Sequence, residues 1–262
     1  WPLSAMAPLA LTLALLAMTV APAANEVLPL DMAQDSFDDQ YRGCGPAMTA
    51  ALPALIRSEF QKNPVFAQAW PEAKTQWHKV RSPMSPLPSP AHAIALRAYM
   101  IPDLYTDFNR AVPVAGRSPQ QYRDNFHFKS LHFLLTDAVA TLRDARKGRC
   151  LQVVRRDCGV RFEAKLGDTV RFGQFWVMWM SETPAWCPVQ TLFRLYTCHG
   201  GGMQYFLKTE EEVVLIPPFE TFEVTEVTRE GNKTQIQLNS TGTFSKYNCE
   251  WLRGDSTGDS LG

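Results

Sequence analysis

The spacing of apolar residues changes near Cys150, from the period of three to four typical of helices to the period of two typical of strands. Before that point, from residue 31 to about 147, the pattern is helical, most clearly over 128–142. After it, short segments alternate in polarity or are rich in β-branched and aromatic residues: 151–154, 169–175, 212–216, 220–227 and 234–238. A block of helices followed by a block of strands predicts an α+β fold rather than a wound parallel sheet.

The composition supports a folded chain without a nucleic-acid partner. Its 262 residues, 45% of them hydrophobic, are enough for one large domain or two small ones. The 26 basic residues are balanced by 26 acidic ones, and the sequence contains no dense block of basic residues. Binding to nucleic acid, which needs such a block, is therefore not expected. The proline-rich run 82–90 predicts an exposed loop between helices. His132 has no partner at metal-binding spacing, so we predict a core histidine and no metal site.

The beginning of the chain is typical of a targeting segment. Residues 6–24 form an uncharged apolar stretch that ends in the motif Ala-Pro-Ala, a pattern of signal-peptidase sites. We therefore expect a signal peptide over 1–24 and a mature, soluble protein that is secreted or lies in the lumen of the secretory pathway. The alternatives are a buried N-terminal helix or a membrane anchor, for which the apolar core is short. No later segment predicts a transmembrane span, and residues 254–262 are expected to form a flexible tail.

The cysteines favour disulfides over structural zinc, because no two of them form a CxxC pair. The six are Cys44, Cys150, Cys158, Cys187, Cys198 and Cys249. Their spacing alone does not choose among the many possible pairings. Two sequons, at Asn232 and Asn239, predict N-glycosylation in a secreted chain.

The run of three glutamates at 210–212 is the segment that most directly suggests chemistry. On a strand, Glu210 and Glu212 share one face and can point into one cleft, while Glu211 points away. Two carboxylates on one face suit a reaction whose transition state is cationic, such as cleavage of a glycosidic bond through an oxocarbenium ion. The alternative is an acidic turn exposed to solvent.

Several motifs, taken together, indicate a family. They are DSFDDQYRGC at 35–44, FHFKSLHFLLTDA at 126–138, VRFGQF at 170–175, EEEVVLIPPFETFEV at 210–224 and YNCE at 247–250, with a strand start at Val154-Arg155. Over most of residues 28–251 the chain resembles the vertebrate ecto-enzyme family of arginine-specific mono-ADP-ribosyltransferases. The resemblance implies that NAD donates ADP-ribose to arginine side chains of acceptor proteins with release of nicotinamide. It also implies a fold shared with certain bacterial toxins.

In that fold, the resemblance implies a helical portion over 25–148 packed on a mostly antiparallel, two-sheet β portion over 149–253. We expect a monomer that uses NAD as a co-substrate and needs no metal.

The same resemblance assigns roles to single residues. It implies that Arg155 holds the dinucleotide, that Glu212 stabilises the oxocarbenium ion and that Glu210 binds the acceptor arginine. Tyr99 and Gln174 are expected to line the NAD cleft, although Tyr99 can equally be a core aromatic residue.

The chain also departs from the family. Arg156 stands where the family has glycine, and Val177 stands where it has the serine of its signature. The match fails over 176–190, and a loss with such sharp boundaries resembles a local reading-frame error or a decayed gene. The alternative function is therefore a degenerate member with only NAD glycohydrolase activity, or with a non-catalytic role in binding NAD or protein.

A further departure lies in the catalytic strand, where Val213 and Val214 replace a single valine of the family. Counting back from the prolines puts Val213 in the catalytic position, whereas counting from the glutamates keeps Glu212 there. A one-residue bulge at the strand start reconciles the two counts, and we expect it, with Glu212 as the catalytic residue.

The resemblance also implies two disulfides, one between Cys44 and Cys249 and one between Cys150 and Cys198. Cys158 and Cys187 remain, either as free thiols or as a pair outside the family pattern.

Overall fold

The computed structural model describes residues 26–80, 86–182, 187–207 and 209–253. The predicted signal peptide and the predicted flexible tail lie outside the described residues. The helices are α1 Gly45–Lys62, α2 Pro64–Val80, α3 Pro90–Tyr99, α4 Pro102–Ala115, α5 Pro119–Asn125, α6 Lys129–Ala145, α7 Gln204–Leu207 and α8 Glu250–Arg253. The strands are β1 Glu26–Pro29, β2 Leu151–Asp157, β3 Val160–Glu163, β4 Thr169–Val170, β5 Trp176–Trp179, β6 Thr191–Thr197, β7 Gly201–Gly202, β8 Val213–Ile216, β9 Glu220–Glu230 and β10 Lys233–Thr243.

The α+β class is confirmed, since six helices precede all but one of the strands. Helix α6 forms where the periodicity predicts it and buries most of its side chains. Its first turn is held by the buried carboxylate of Glu59, which accepts from the amide of Ser130 at 3.0 Å. The predicted proline-rich loop is seen at 86–89, and Pro90 then begins α3, because the first position of a helix needs no amide donor.

His132 on α6 is a satisfied core histidine, as predicted. Its Nδ1 lies 2.8 Å from the hydroxyl of Tyr41, and its Nε2 lies 3.2 Å from the carbonyl oxygen of Phe37. Burial lowers the pKa of His132 to about 3, so the ring is neutral in the core.

The strands form an eight-stranded sheet in the order β4-β9-β10-β6-β2-β5-β8-β7 and a two-stranded sheet of β1 and β3. Within the large sheet every pair is antiparallel except β10 with β6, whereas β1 and β3 are parallel. The predicted strand over 169–175 is correct only for Thr169 and Val170. The rest turns away, because Gly173 has a φ of +64° and the side chain of Arg171 is buried against Asp38.

Strands β5 and β8 lie between two hydrophobic cores. On one side, Val177, Val213 and Leu215 pack into the core that the helices form. On the other side, Trp176 and Met178 belong to a second core with the aromatic residues of the neighbouring strands. These two strands are therefore the layer against which both halves of the fold pack.

Three disulfides connect the described residues. Cys44 pairs with Cys249 at a Cα–Cα distance of 6.1 Å, and Cys150 pairs with Cys198 at 4.1 Å, as the resemblance implied. Cys158 and Cys187, left open by the sequence, form the third pair. This pair connects the turn between β2 and β3 to the segment before β6.

Candidate active site

The register of β5 and β8 determines where the glutamate run lies. The pairing runs without a shift from Trp176 opposite Ile216 to Trp179 opposite Val213, and the amide of Met180 then donates to the carbonyl oxygen of Glu212 at 3.0 Å. The predicted bulge is therefore wrong. The extra valine is accommodated as a regular strand residue, which moves all three glutamates one position toward the preceding loop.

That displacement reverses the predicted facing of the carboxylates. Because side chains alternate along a strand, Glu211 falls on the side of Val213, whereas Glu212 falls on the side of Val214. Glu210, Glu211 and Glu212 are all exposed. Glu211 is thus the carboxylate on the side of Val177, whereas the sequence predicts Glu210 and Glu212 there; the catalytic roles of Glu210 and Glu212 stay predictions.

A cavity of about 410 Å³ lies on that face, between helices α2 and α3 and the ends of β5 and β8. It is lined by Glu72, Gln76, Arg97, Met100, Ile101, Pro102, Val177, Trp179, Leu207, Thr209, Glu211 and Val213. Its volume falls in the range of small-molecule sites, and its mixture of apolar walls with a few polar groups is typical of them.

Glu211 is held in place at this cavity. The indole N–H of Trp179 donates to Oε2 of Glu211 at 3.1 Å, and the amide of Glu211 donates to the hydroxyl of Thr209 at 3.1 Å. A carboxylate fixed beside an aromatic ring and apolar side chains is suited to stabilise a developing positive charge.

The wall beside Glu211 is apolar where the family signature has polar groups. Val177, at the position of the family serine, and Val213, at the position counted back from the prolines, are each 4% exposed. Neither offers a hydrogen bond to a ligand. The departure seen in the sequence at Val177 is therefore a change in the cavity itself.

Arg155 lies behind β5 and contacts the strand rather than the cavity. Its Nη1 donates to the carbonyl oxygen of Val177 at 3.0 Å, and its Nη2 lies 3.7 Å from Oδ2 of Asp157. Its guanidinium also covers the ring of Trp176, 4.5 Å from the ring centroid. The structure thus brings Arg155 to the backbone of Val177 and not to the glutamates.

Gln174 supports this arrangement from the other side of Trp176. With its amide oriented to satisfy both neighbours, Gln174 donates to the carbonyl oxygen of Asn109 at 2.9 Å and accepts from the indole N–H of Trp176 at 2.6 Å. Gln174 therefore holds the ring on which Arg155 lies.

Tyr99 is a core residue. It is fully buried, its hydroxyl donates to the carbonyl oxygen of Phe175 at 2.7 Å, and it accepts from Nδ2 of Asn109 at 2.9 Å. This is the core position that the sequence left open for Tyr99, and the side chain joins α3 and α4 to the segment before β5. A contact of Tyr99 with NAD stays a prediction.

Arg156 does not reach the cavity that Glu211 lines. It pairs with Glu182, which also pairs with Arg194 on β6. The described residues that line the cavity do not include it.

Sequence reasoning missed the polar groups that the helices contribute. Arg97 is the one charged residue in an otherwise apolar or aromatic stretch at 93–99, and it lines the cavity with Gln76. An isolated arginine in an apolar helix was the available signal, but the sequence alone did not show that α2 and α3 meet beside β5.

Two other kinds of site are absent from the described residues. None of the described helices combines the length and the apolar character needed to cross a membrane. Within the same ranges, no three side chains of His, Cys, Asp or Glu are grouped so as to hold a metal ion.

The sequence matches a known protein family and known proteins over most of its length. The model of the family described as "ART: NAD:arginine ADP-ribosyltransferase" matches residues 30–246. The GPI-linked NAD(P)(+)--arginine ADP-ribosyltransferase 1 of Mus musculus is 44% identical over 243 residues, which are 87% of this chain and 75% of that protein. The Homo sapiens protein of the same name is 42% identical over 248 residues, which are 87% of this chain and 76% of that protein.

Solved structures agree with these matches. The eucaryotic mono-ADP-ribosyltransferase ART2.2 gives a TM-score of 0.73 at 33% identity, covering 85% of this chain and 98% of that one. Exoenzyme S from Pseudomonas aeruginosa, solved bound to Carba-NAD, gives a TM-score of 0.52 at 15% identity over 81% of this chain and 100% of that one. At that identity the second match shows the fold alone.

Proposed function

Because the chain belongs to the NAD:arginine ADP-ribosyltransferase family, we propose that it transfers ADP-ribose from NAD to arginine side chains of acceptor proteins and releases nicotinamide. The observation that carries the proposal is the match of the family over residues 30–246. The cavity at the ends of β5 and β8 supports it, because it provides a carboxylate and an aromatic ring at the entrance to an apolar site.

The reaction replaces one bond at the nicotinamide ribose by another. The bond from C1′ to the nicotinamide nitrogen breaks, nicotinamide leaves as a neutral molecule with the bonding electrons, and positive charge develops on the ribose ring. A guanidinium nitrogen of the acceptor then bonds to C1′ and loses a proton. A carboxylate close to the ring stabilises the cationic transition state more than the ground state.

We assign that carboxylate to Glu211, because it is the glutamate of the run that lines the cavity. Glu210 and Glu212 are exposed on either side of it in sequence and remain candidates for attracting the acceptor guanidinium. Arg155 acts as a positioning residue in this proposal, since it fixes the backbone of Val177 and the ring of Trp176.

A second function is favoured by the apolar wall. Val177 and Val213 are buried in the cavity and supply neither the hydroxyl of the family signature nor a carboxylate at the strand start. A cavity of this kind suits a degenerate member that only hydrolyses NAD, or one that binds NAD without turning it over.

An assay with NAD separates these functions. Purified protein is incubated with NAD labelled in the adenylate part, with and without agmatine as a guanidinium acceptor, and both nicotinamide release and labelled acceptor are measured. Acceptor labelling supports the transferase. Nicotinamide release without labelling supports the hydrolase, and binding of NAD without release supports the non-catalytic role.

We propose further that the protein functions outside the cell or in the lumen of the secretory pathway. The three disulfides support an oxidising compartment. Asn232, in the turn between β9 and β10, and Asn239, on β10, are both exposed, as a glycan acceptor must be. Peptide mapping of material from a secretory host, with and without removal of N-glycans, tests both the compartment and the two acceptors.

A further inference from the structure

Arg97 carries a buried guanidinium group that is only partly hydrogen-bonded. The residue is 8% exposed, and its Nη1 donates to Oε1 of Gln76 at 3.2 Å. No described residue accepts a hydrogen bond from its Nε or Nη2. Burial lowers the pKa of Arg97, but a guanidinium stays charged at neutral pH. A buried cation with two unused donors is unfavourable until an anion compensates it.

The two unused donors lie on one edge of the planar group. Nε and Nη2 present parallel N–H bonds, which is the geometry that binds a carboxylate or a phosphate through two oxygens. Gln76, which occupies the remaining nitrogen, orients that edge, and Gln76 and Arg97 both line the cavity.

The carboxylates of the cavity are engaged with other donors. Glu72 accepts from Nε2 of Gln76 at 3.0 Å, and Glu211 accepts from the indole of Trp179. Among the described residues, neither is hydrogen-bonded to Arg97. No carboxylate of the cavity therefore compensates the charge of Arg97, whose Nε and Nη2 are buried beside it.

We propose that Arg97 is an anion-binding residue that takes a phosphate group of the nucleotide substrate through Nε and Nη2, with Gln76 as its positioning residue. The inference rests on the proposed function, because it names the residue that holds the phosphate of NAD. A phosphate at Arg97 and a carboxylate at Glu211 give the cavity one group for each charge of a nicotinamide nucleotide, whose phosphate is anionic and whose ring is cationic. Arg155 is the other arginine considered for the phosphate, but it lies behind β5, where its Nη1 donates to the backbone carbonyl oxygen of Val177.

The test uses two ligands that differ by one phosphate, nicotinamide mononucleotide and nicotinamide riboside, titrated into the full-length mature protein by calorimetry. We expect the wild type to bind the mononucleotide about tenfold or more tightly than the riboside. Arg97→Gln removes that preference and leaves the riboside affinity unchanged. Gln76→Leu, which frees the guanidinium to reorient, reduces the preference.

Two variants serve as matched controls. Arg110→Gln removes an arginine of α4 whose side chain is 75% exposed, and it should leave the preference unchanged. Arg155→Gln tests the alternative phosphate ligand: loss of the preference in this variant together with its persistence in Arg97→Gln overturns the inference. Inorganic pyrophosphate and the mononucleotide are also compared as competitors. If pyrophosphate competes and Arg97→Gln abolishes this competition, the site recognises the phosphate by itself. If the mononucleotide competes and pyrophosphate does not, the site requires the nucleoside part as well.

The inference can still be tested if Arg97→Gln does not fold. If circular dichroism shows that Arg97→Gln is unfolded, Arg97→Lys keeps the charge and loses the two-pronged edge, so the preference should weaken; an unchanged preference overturns the inference. A wild type that binds both ligands equally overturns it without any variant.

Binding and turnover also separate this inference from the proposed function. A wild type whose phosphate preference depends on Arg97, but which neither releases nicotinamide nor labels agmatine, keeps the inference and contradicts the transferase. A wild type that labels agmatine with the same KM for NAD as Arg97→Gln keeps the transferase and overturns the inference.

Discussion

At the scale of single residues, one extra valine decides which carboxylate reaches the cavity. Val213 occupies a regular position of β8 opposite Trp179, so the glutamates before it are displaced by one residue. Because facing alternates along a strand, a displacement of one residue exchanges the two faces. Glu211 then lines the cavity, and Glu212 is on the side of Val214.

The three glutamates should therefore differ when each is replaced by glutamine. Glu211→Gln keeps size and hydrogen bonding but removes the charge, so we expect NAD turnover to fall by about 10²-fold or more. Glu212→Gln and Glu210→Gln should change nicotinamide release less and should affect mainly the labelling of agmatine. Steady-state rates of both products measure this, and a Glu212→Gln variant that loses as much nicotinamide release as Glu211→Gln would contradict our assignment.

Deleting Val213 should restore the register that the family motif implies. The deletion brings Glu212 into the position that Val213 now occupies beside Val177, with Glu210 two residues before it on the same face. We expect higher nicotinamide release than in the parent, and a further increase when Val177→Ser adds the missing hydroxyl. Val213→Ala is the matched control, because it shortens the same side chain without shifting the register. No gain on deletion, in a protein that retains its circular dichroism spectrum, would contradict the view that the register of the glutamates limits activity.

At the scale of elements, the sequence predicts what depends on periodicity. Helix α6 and strands β9 and β10 lie where the periods of three to four and two place them, because one buried face determines the structure of a long amphipathic segment. The end of the predicted strand at 169–175 depends instead on long-range contacts. Arg171 is buried against Asp38 more than a hundred residues earlier in the chain, and no local pattern reports such a partner.

The facing of the glutamate run shows the same limit within the candidate site. The sequence allowed two registers for β8, one counted from the glutamates and one counted back from the prolines. The observed pairing of β8 with β5 is the register counted from the prolines. The role of Arg97 likewise depends on the meeting of α2 and α3 beside β5. The sequence thus indicated the family and the segments, while the contacts between elements determined which side chains share the cavity.

The ion pair of Arg171 and Asp38 should be a strong tie between β4, the N-terminal segment and the segment after β10. Both side chains are fully buried, and Asp38 also accepts from the amides of Lys246 and Tyr247 at 2.9 Å and 3.1 Å. Asp38→Asn leaves the guanidinium without its carboxylate, so we expect the free energy of unfolding to fall by about 3–5 kcal/mol.

Asp35→Asn is the matched control for Asp38→Asn. Asp35 also pairs with an arginine, Arg117, but the side chains of Asp35 and Arg117 are 59% and 60% exposed. Such an exposed pair contributes about 0–1 kcal/mol. Urea unfolding of the two variants measures the difference, and equal losses would contradict the view that burial makes the Asp38 pair strong.

At the scale of the whole molecule, a disulfide bond joins the N-terminal helices to the end of the β-rich portion, in addition to the core that the two portions share. Cys44 and Cys249 connect the start of α1 to the residue before α8 across 205 residues of sequence. Cys158 and Cys187, by contrast, connect two segments of the β-rich portion that are 29 residues apart. Only the first bond therefore joins the N-terminal helices to the end of the described chain.

Removing these two disulfides should have unequal effects. In the chain-entropy account, closing a longer loop restricts the unfolded chain more, so replacing Cys44 and Cys249 by alanine should lower the free energy of unfolding by about 5 kcal/mol and the second double variant by about 3–4 kcal/mol. The first variant should also lose part of its NAD binding, because α1 packs on α2, and α2 and α3 carry the helical wall of the cavity. The second variant should retain its NAD binding. Urea unfolding and calorimetric titration with NAD measure both quantities. A Cys158/Cys187 double variant that loses more stability than the Cys44/Cys249 one would contradict this order, and it would show that the segment before β6 is held chiefly by its disulfide rather than by the pairing of β6 with β2 and β10.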